Sequence, residues 1–435
     1  MVIEALTPRE ARLERAAMIL RWGAVINGAL ALLLMLAGIT RSAELYTTLA
    51  NVGLANFNGS DDTALIALML LLLGNVSALL VVMVGVLAQE LWSLVLLVAV
   101  LLVNAFLLVA FGFFPAILTM AIAAYAASGL ISDLRAFRLN PVMLKELRER
   151  MRGARAFVVI TIYLGLMSAF AVLLYLIQRG VVQDNGSAVT GELGRVVFRG
   201  IVGIELLLIL FIAPAFTAGA VSNERERKTY DLLQITLLPK SSFIIGKLES
   251  ALSYIFLLLL AAIPLQSIAF LFGGVSETEL VLAFIILAVT AITLGTVGLF
   301  FSTTVDRTLT ASVRAYTVAF AVTVGLPIAL GFFVNIFNNA LTGTGTNVTS
   351  SPVVEAALIY TGAFLVSLNP IATALASQTL LINQREIGFW QATLSSNGST
   401  IPMVSPWLTF TIIYLVISTV LIVLAVRRMR RADAN

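Results

Sequence analysis

The chain has 435 residues, of which 60% are hydrophobic and only 11% are charged, and its formal net charge is +4. Soluble domains carry about 25% charged residues, so this composition excludes a soluble globular protein, a disordered tail and a protein that binds nucleic acid. Cysteine and histidine are both absent, which excludes disulfides and thiolate catalysis and removes the commonest general base and metal ligand.

This composition predicts an all-α polytopic membrane protein with no catalytic residues and no metal site. A hydrocarbon core about 30 Å thick requires a helix of roughly 20 apolar residues, and eleven segments approach or exceed that length. In chain order they are 22–39, 63–88, 91–111, 112–131, 156–177, 200–221, 251–272, 280–301, 315–337, 353–376 and 407–426.

The basic residues predict the orientation. With the N-terminus in the cytoplasm, the segments on that side carry 22 of the 27 Lys and Arg residues, as expected of cytoplasmic loops. The basic C-terminus lies on the cytoplasmic side as well only if one of the eleven candidate segments does not cross the membrane. Segment 353–376 is that candidate because Asn369-Pro370 interrupts it, and proline disfavours helix at the residue before it. We therefore predict about ten transmembrane helices, a re-entrant or outer-leaflet hairpin at 353–376 and both termini in the cytoplasm.

Residues 1–135 are predicted to form a four-span N-terminal membrane bundle. Three amide side chains lie within its spans, at Asn27, Asn75 and Asn104. Such amides commonly bond a neighbouring helix, so we expect helix–helix contacts there rather than ligand contacts. The role of this bundle stays open, and a purely structural or regulatory role is one alternative.

Asn140-Pro141 opens the second unit, residues 140–435, because asparagine caps a helix and proline suits its first position. Apolar residues then recur at three- and four-residue spacing, and basic residues fill most other positions. These basic residues are Lys145, Arg148, Arg150, Arg152 and Arg155. We predict an interfacial amphipathic helix whose basic side faces anionic membrane lipids. The alternative is an ordinary basic flank of the next span.

Residues 222–250 form a long polar segment between two spans of the second unit. Charges crowd its start, Leu232 and Leu233 follow, and Pro239 interrupts it. The apolar residues favour a short amphipathic helix that lies just beneath the bilayer and is covered by another surface. A solvated loop is the alternative.

Residues 213–233 resemble the permease subunits of ABC transporters of the type-2 exporter family. In both, a proline-containing apolar span precedes a Glu-Arg-Glu run, a threonine, an acidic residue and Leu-Leu. Residues 140–157, the Ile-Ile-Gly-Lys at 244–247 and the Ser-Leu-Asn-Pro at 367–370 are similar to further parts of the same family. The resemblance covers 140–435 and implies a six-span permease domain with re-entrant helices between its fifth and sixth spans.

The resemblance also implies a coupling helix that docks into a separate ABC ATP-binding subunit. By motif position, the coupling residues would be Glu224, Arg225, Glu226, Thr229, Asp231, Leu232 and Leu233. The chain contains no P-loop, so ATP and Mg would bind to the partner and no cofactor to this chain. A second permease chain, identical or related, is expected. The family implies a bacterial inner membrane and favours export.

A secondary transporter driven by an ion gradient is the main alternative. Such proteins place ionisable groups inside the helix bundle, and the acidic residue well inside a core span is Glu205. We predict that it lies about five residues from the outer end of 200–221, where it reaches water or lines an outer vestibule with Asn369 and Pro370. A membrane-embedded enzyme is disfavoured because no convergent set of reactive side chains is evident.

Overall fold

The computed structural model describes most of the chain. The described residues are 8–40, 61–130, 133, 137, 140–151, 154–182, 189–229, 239–271, 273–329, 331–332, 352–384, 387–394, 396 and 398–432. Within them, long apolar helices pack side by side, and the only sheet is a two-stranded hairpin. The predicted all-α polytopic membrane fold is confirmed: nine described helices are long and apolar enough to cross a membrane.

Four helices form the N-terminal bundle: α1 (Pro8–Thr40), α2 (Asp61–Ala88), α3 (Leu91–Phe111) and α4 (Pro115–Leu130). Helix α1 lies along α2 and α4, and α3 packs against both of those helices. At 16 residues, α4 is a short apolar helix. The tight turn between α3 and α4 requires Gly112, whose φ of 66° is in the left-handed region that favours glycine.

One polar side chain from each helix of this bundle meets the others in its apolar interior. Asn75 and Asn104 exchange two hydrogen bonds of 2.9 Å through their amides. Thr119 donates to Asn27 Oδ1 at 3.1 Å and lies 3.4 Å from the Asn75 amide. All four side chains are buried. The prediction that these amides bond neighbouring helices is therefore confirmed.

The described residues from 140 onward form a second set of helices around α10. It comprises α5 (Pro141–Met151), α6 (Ala154–Val182), α7 (Val189–Thr217), α8 (Ser222–Glu226), α9 (Lys240–Leu271), α10 (Glu277–Thr304), α11 (Thr308–Phe320), α12 (Pro352–Val366), α13 (Pro370–Gln384), β1 (Phe389–Thr393), β2 (Thr400–Val404) and α14 (Pro406–Ala432). Helix α10 packs against α7, α9, α11, α13 and α14. The N-terminal bundle joins this set through α2, which contacts α9, α14 and β2.

Helices α12 and α13, which we call the re-entrant hairpin, cover the segment 353–376 for which a re-entrant or outer-leaflet hairpin is predicted. They are bent by 118° relative to each other. The Gln378 amide on α13 donates to Glu279 at the start of α10. At the tip, Asn369 contacts the π-helical turn Ala321–Gly325 that continues α11, and the Leu368 carbonyl accepts from Tyr414, eight residues into α14. The tip therefore reaches the interior of the bundle while both arms return to one end.

The two ends of the bundle differ in charge. We call one end the basic face; it comprises residues 8–21, 89–90, 140–151, 222–229, 239–247, 304–308 and 427–432. Contacts across it hold the helix ends together, for example the two hydrogen bonds of 2.8 and 2.9 Å from Arg12 to Asp133. We call the other end the opposite face; it comprises residues 112–114, 189–199, 273–279, 378–384, 387–394 and 398–407.

Candidate coupling site at the basic face

The turn after α7 is fixed to α10 by hydrogen bonds. The backbone N–H groups of Val221 and Ser222 both donate to Ser302 Oγ, at 2.8 and 3.0 Å. Ser222 and Ser302 are fully buried. Helices α7 and α10 approach closely here because Gly298 lacks a side chain; a Cβ at that position would lie 2.1 Å from Thr217 Oγ1. The start of α8 therefore cannot move independently of α10.

Two charged residues of α8 bind the turn between α10 and α11. Arg225 forms a 3.2 Å ion pair with Asp306. The Glu226 carboxylate accepts hydrogen bonds from the backbone N–H of Thr308 at 2.7 Å and from its hydroxyl at 3.1 Å. A carboxylate at this position caps the first turn of α11 and complements its helix dipole.

Lys247 links three helices of the basic face. Its side chain is 9% exposed and forms ion pairs with Glu146 of α5 and, at 3.1 Å, with Glu224 of α8. Its ammonium also lies 5.5 Å from the centre of the Phe243 ring, within the range of a cation–π contact. Glu224 in turn accepts from the Thr229 hydroxyl. Lys247 belongs to the Ile-Ile-Gly-Lys motif at 244–247, but the sequence did not reveal that it bridges three helices.

Asn140 joins the N-terminal bundle to α5 and α9. Its amide donates to Glu90 Oε1 and to the Ser242 carbonyl, both at 2.6 Å, and its Oδ1 caps α5. Gly246 makes room for this side chain, because a Cβ there would lie 2.5 Å from Asn140 Oδ1. Glu90 is 2% exposed. This burial raises the pKa of Glu90 to about 7, although the hydrogen bonds from Asn140 and Ser242 act in the other direction.

The structure describes only part of the predicted coupling motif. Asp231, Leu232 and Leu233 lie outside the described residues. The side chains at 226–228 are exposed and present charge away from the bundle. The described part of the motif therefore contains both inward contacts to the helices and an outward charged surface.

A helix is present over the predicted segment as α5, and it packs against α9. Lys145 and Arg148 are exposed on it. The side chains of Arg150 and Arg155 and the whole of Arg152 lie outside what the structure describes. Residues 152–153 lie outside the described part of the chain, so the alternative of a basic flank of the next span stays a prediction.

Glu205 lies deep in the bundle, so the expectation of a solvated position near a helix end is wrong. Helix α7 begins at Val189, sixteen residues before Glu205, and the side chain is 1% exposed. Gln266 of α9 donates to its Oε2 at 2.6 Å. Its Oε1 and the Gln266 Oε1 are both buried without a hydrogen-bond partner among the described residues.

Asn369 and Pro370 have a structural role at the tip of the re-entrant hairpin. The Asn369 amide donates to the carbonyls of Val322 and Thr323, at 2.6 and 3.1 Å, and its Oδ1 accepts from the Ala372 N–H, which caps α13. Both residues are buried. They do not line a vestibule shared with the buried carboxylate of α7 in the described cavities.

A cavity of about 150 Å³ separates α13 from α7 and α10 towards the opposite face. Its rim is polar: Arg199 donates to Gln378 Oε1 at 2.8 Å, and the Gln378 side-chain amide donates to Glu279 at 2.9 Å. Its walls are mostly apolar. Helix α13 of the re-entrant hairpin therefore leaves a space between itself and the spans α7 and α10.

No family model matches the chain, and no curated protein is significantly similar to it.

Proposed function

We propose that the chain is the membrane-spanning permease subunit of an ATP-driven ABC transporter of the exporter type. The observation that carries this proposal is the position of α8, a short charged helix at the basic face that is bonded to several spans. It contacts α9 through Glu224, the α10–α11 turn through Arg225 and the start of α11 through Glu226. The resemblance of residues 213–233 to the coupling region of type-2 exporters points to the same segment.

A coupling element must transmit a displacement to the helices that form the pathway. The ion pairs and hydrogen bonds of α8 reach three neighbouring elements, and Ser302 ties its start to α10. A force applied to residues 226–233 would therefore act on α9, α10 and α11 together. The re-entrant hairpin and the cavity beside it are features that a transport pathway can use, because irregular backbone at membrane depth is tolerated where it lines a cavity.

The proposal requires partners. A separate ABC ATP-binding subunit would bind ATP and Mg and dock against the basic face, since the chain has no P-loop. A second permease chain would complete the pathway. In this arrangement the basic face is cytoplasmic, both termini lie on that side, and the protein resides in the inner membrane.

Charge placed in the apolar part of the motif tests the docking surface. Replacing Leu232 and Leu233 together with Asp should abolish co-purification of the ATPase subunit, because burial of two unpaired carboxylates in an apolar contact is strongly unfavourable. Membrane insertion should be unchanged. A matched control is Lys145→Gln with Arg148→Gln, which makes the same change in net charge at exposed polar positions of α5. Undiminished ATPase binding by the first variant would refute the assigned docking surface.

The burial of Glu205 favours one second candidate, a carrier driven by an ion gradient. A carboxylate inside a span is costly and commonly marks an ion or proton pathway. Glu205→Gln distinguishes the two functions. A gradient-driven carrier would lose its transport, whereas ATP-driven transport through the proposed complex should survive the change.

A further inference from the structure

A second, larger cleft opens beside the joint between the N-terminal bundle and α14. Its volume is about 510 Å³, and it lies between α1, α2, α9 and α14, within the range of sites that hold small molecules. Its wall is mainly apolar; representative lining residues are Leu80, Met83, Val84, Ile245, Val420 and Val423. Because these belong to membrane-spanning helices, the cleft lies where lipid tails surround the protein.

The mouth of this cleft carries two arginines from different helices. Arg21 directly precedes the apolar run 22–39 of α1, and Arg427 directly follows the apolar run 407–426 of α14. Both therefore lie at the level where the hydrocarbon core meets the headgroups on the basic face. Both side chains are exposed, and within the described part of the chain neither makes an ion pair or a hydrogen bond. Glu14 is the acidic residue that lines the same cleft.

We propose that this cleft binds an anionic phospholipid from the leaflet at the basic face. The headgroup phosphate would bind Arg21 and Arg427, since guanidinium groups pair with phosphate oxygens through parallel hydrogen bonds. An acyl chain would lie along the apolar wall.

Charge and position favour a lipid over a helix of another protein. Two cations and one carboxylate give the mouth a net positive charge, and anionic phospholipids present a phosphate at this depth. A partner helix would have to place an acidic residue at the same level.

A bound lipid would connect the two parts of the chain. Helix α2 already packs against α14 beside the cleft, and Ile422 and Val423 of α14 pack on the apolar cluster of the N-terminal bundle. A lipid that contacts both Arg21 of α1 and Arg427 of α14 would add a second link between these elements. This inference gives residues 1–135 a lipid-binding role and does not depend on the proposed transport function.

Native mass spectrometry of the full chain tests the site. The purified protein in dodecyl maltoside is titrated with dioleoyl phosphatidylglycerol or with dioleoyl phosphatidylcholine, and we expect preferential binding of the first. A basic residue beside an anionic surface changes affinity about fivefold, so Arg21→Gln with Arg427→Gln should weaken phosphatidylglycerol binding roughly thirtyfold. Val420→Trp, which fills the exposed wall without a change of charge, should also weaken it.

The matched control is Arg15→Gln with Arg428→Gln. These arginines are exposed on the same two helices but do not line the cleft, so their replacement should leave phosphatidylglycerol binding unchanged. Equal binding of the two lipids by the unmodified chain would overturn the proposal, as would equal losses in the two double variants. A photo-crosslinker at position 420 that reacts with a protein instead of a lipid would also overturn it.

Discussion

Removal of the Lys247 ammonium tests how the basic face is held together. In Lys247→Met, the carboxylates of Glu146 and Glu224 lose their shared cation while they remain 17% and 26% exposed. Breaking a buried ion pair by removing one partner costs about 3–5 kcal/mol. Because both carboxylates keep some contact with solvent, we expect the lower end, about 3 kcal/mol, which is roughly a 150-fold change in the unfolding equilibrium. Unfolding of the purified chain by titration with sodium dodecyl sulfate measures this loss.

Two further variants decide whether the ion pairs cause the loss. Lys228→Met removes an exposed ammonium from the same face and should change the free energy of unfolding by less than about 0.5 kcal/mol. Adding Glu146→Gln and Glu224→Gln to Lys247→Met should recover half or more of the loss, because neutral amides need no buried counter-charge. The reasoning is refuted if Lys247→Met costs no more than Lys228→Met, or if the triple variant is no more stable than the single one.

Three other predictions concern the contacts that join the helices. Gly246→Ala should displace Asn140 and destabilise the chain by about 1–3 kcal/mol, as overpacking does; thermal unfolding measures this, and an unchanged midpoint would contradict the close approach. Asn75→Leu should cost about 1–3 kcal/mol because it leaves the Asn104 amide without its partner, and adding Asn104→Leu should restore part of that loss in the same assay. The pKa of Glu90 is about 7 in the folded chain instead of 4.5. Between these two pH values the folded chain therefore keeps a proton on Glu90 that the unfolded chain has lost. Stability should therefore fall as the pH rises from about 5 to 7 and then level off, and Glu90→Gln should flatten this part of the profile.

Local sequence patterns were sufficient to predict most of the long apolar helices, although the predicted span 112–131 is the 16-residue helix α4, which is shorter than the roughly 20 residues that a span requires. Apolar runs define the long helices, and Asn369-Pro370 together with the basic C-terminus identifies the segment that turns back. The helix boundaries were less predictable. Arg195 and Arg199 lower the hydropathy of residues 189–199, which led to a predicted span beginning at 200. The helix nevertheless extends to Val189, because Arg195 donates to the Gly274 carbonyl and Arg199 to Gln378.

Contacts between distant residues could not be read from periodicity. Lys247 and Glu146 come from different helices, and no local pattern brings them together. The β1–β2 hairpin was not predicted for a different reason: residues 389–404 lack the apolar length of a span, which is the property that identified the other elements. The Asn-Gly pair at 397–398 is a signal that could have identified this hairpin, because this dipeptide favours tight turns between strands, and Gly398 has a φ of 69°.

The most direct test of the proposed function is purification of the full chain from its native membrane in a mild detergent, followed by mass spectrometry of the proteins that accompany it. The account predicts a stoichiometric P-loop ATPase that is lost when Leu232 and Leu233 are replaced by Asp. A preparation that still transports cargo but contains no such ATPase would contradict the account and direct attention to Glu205.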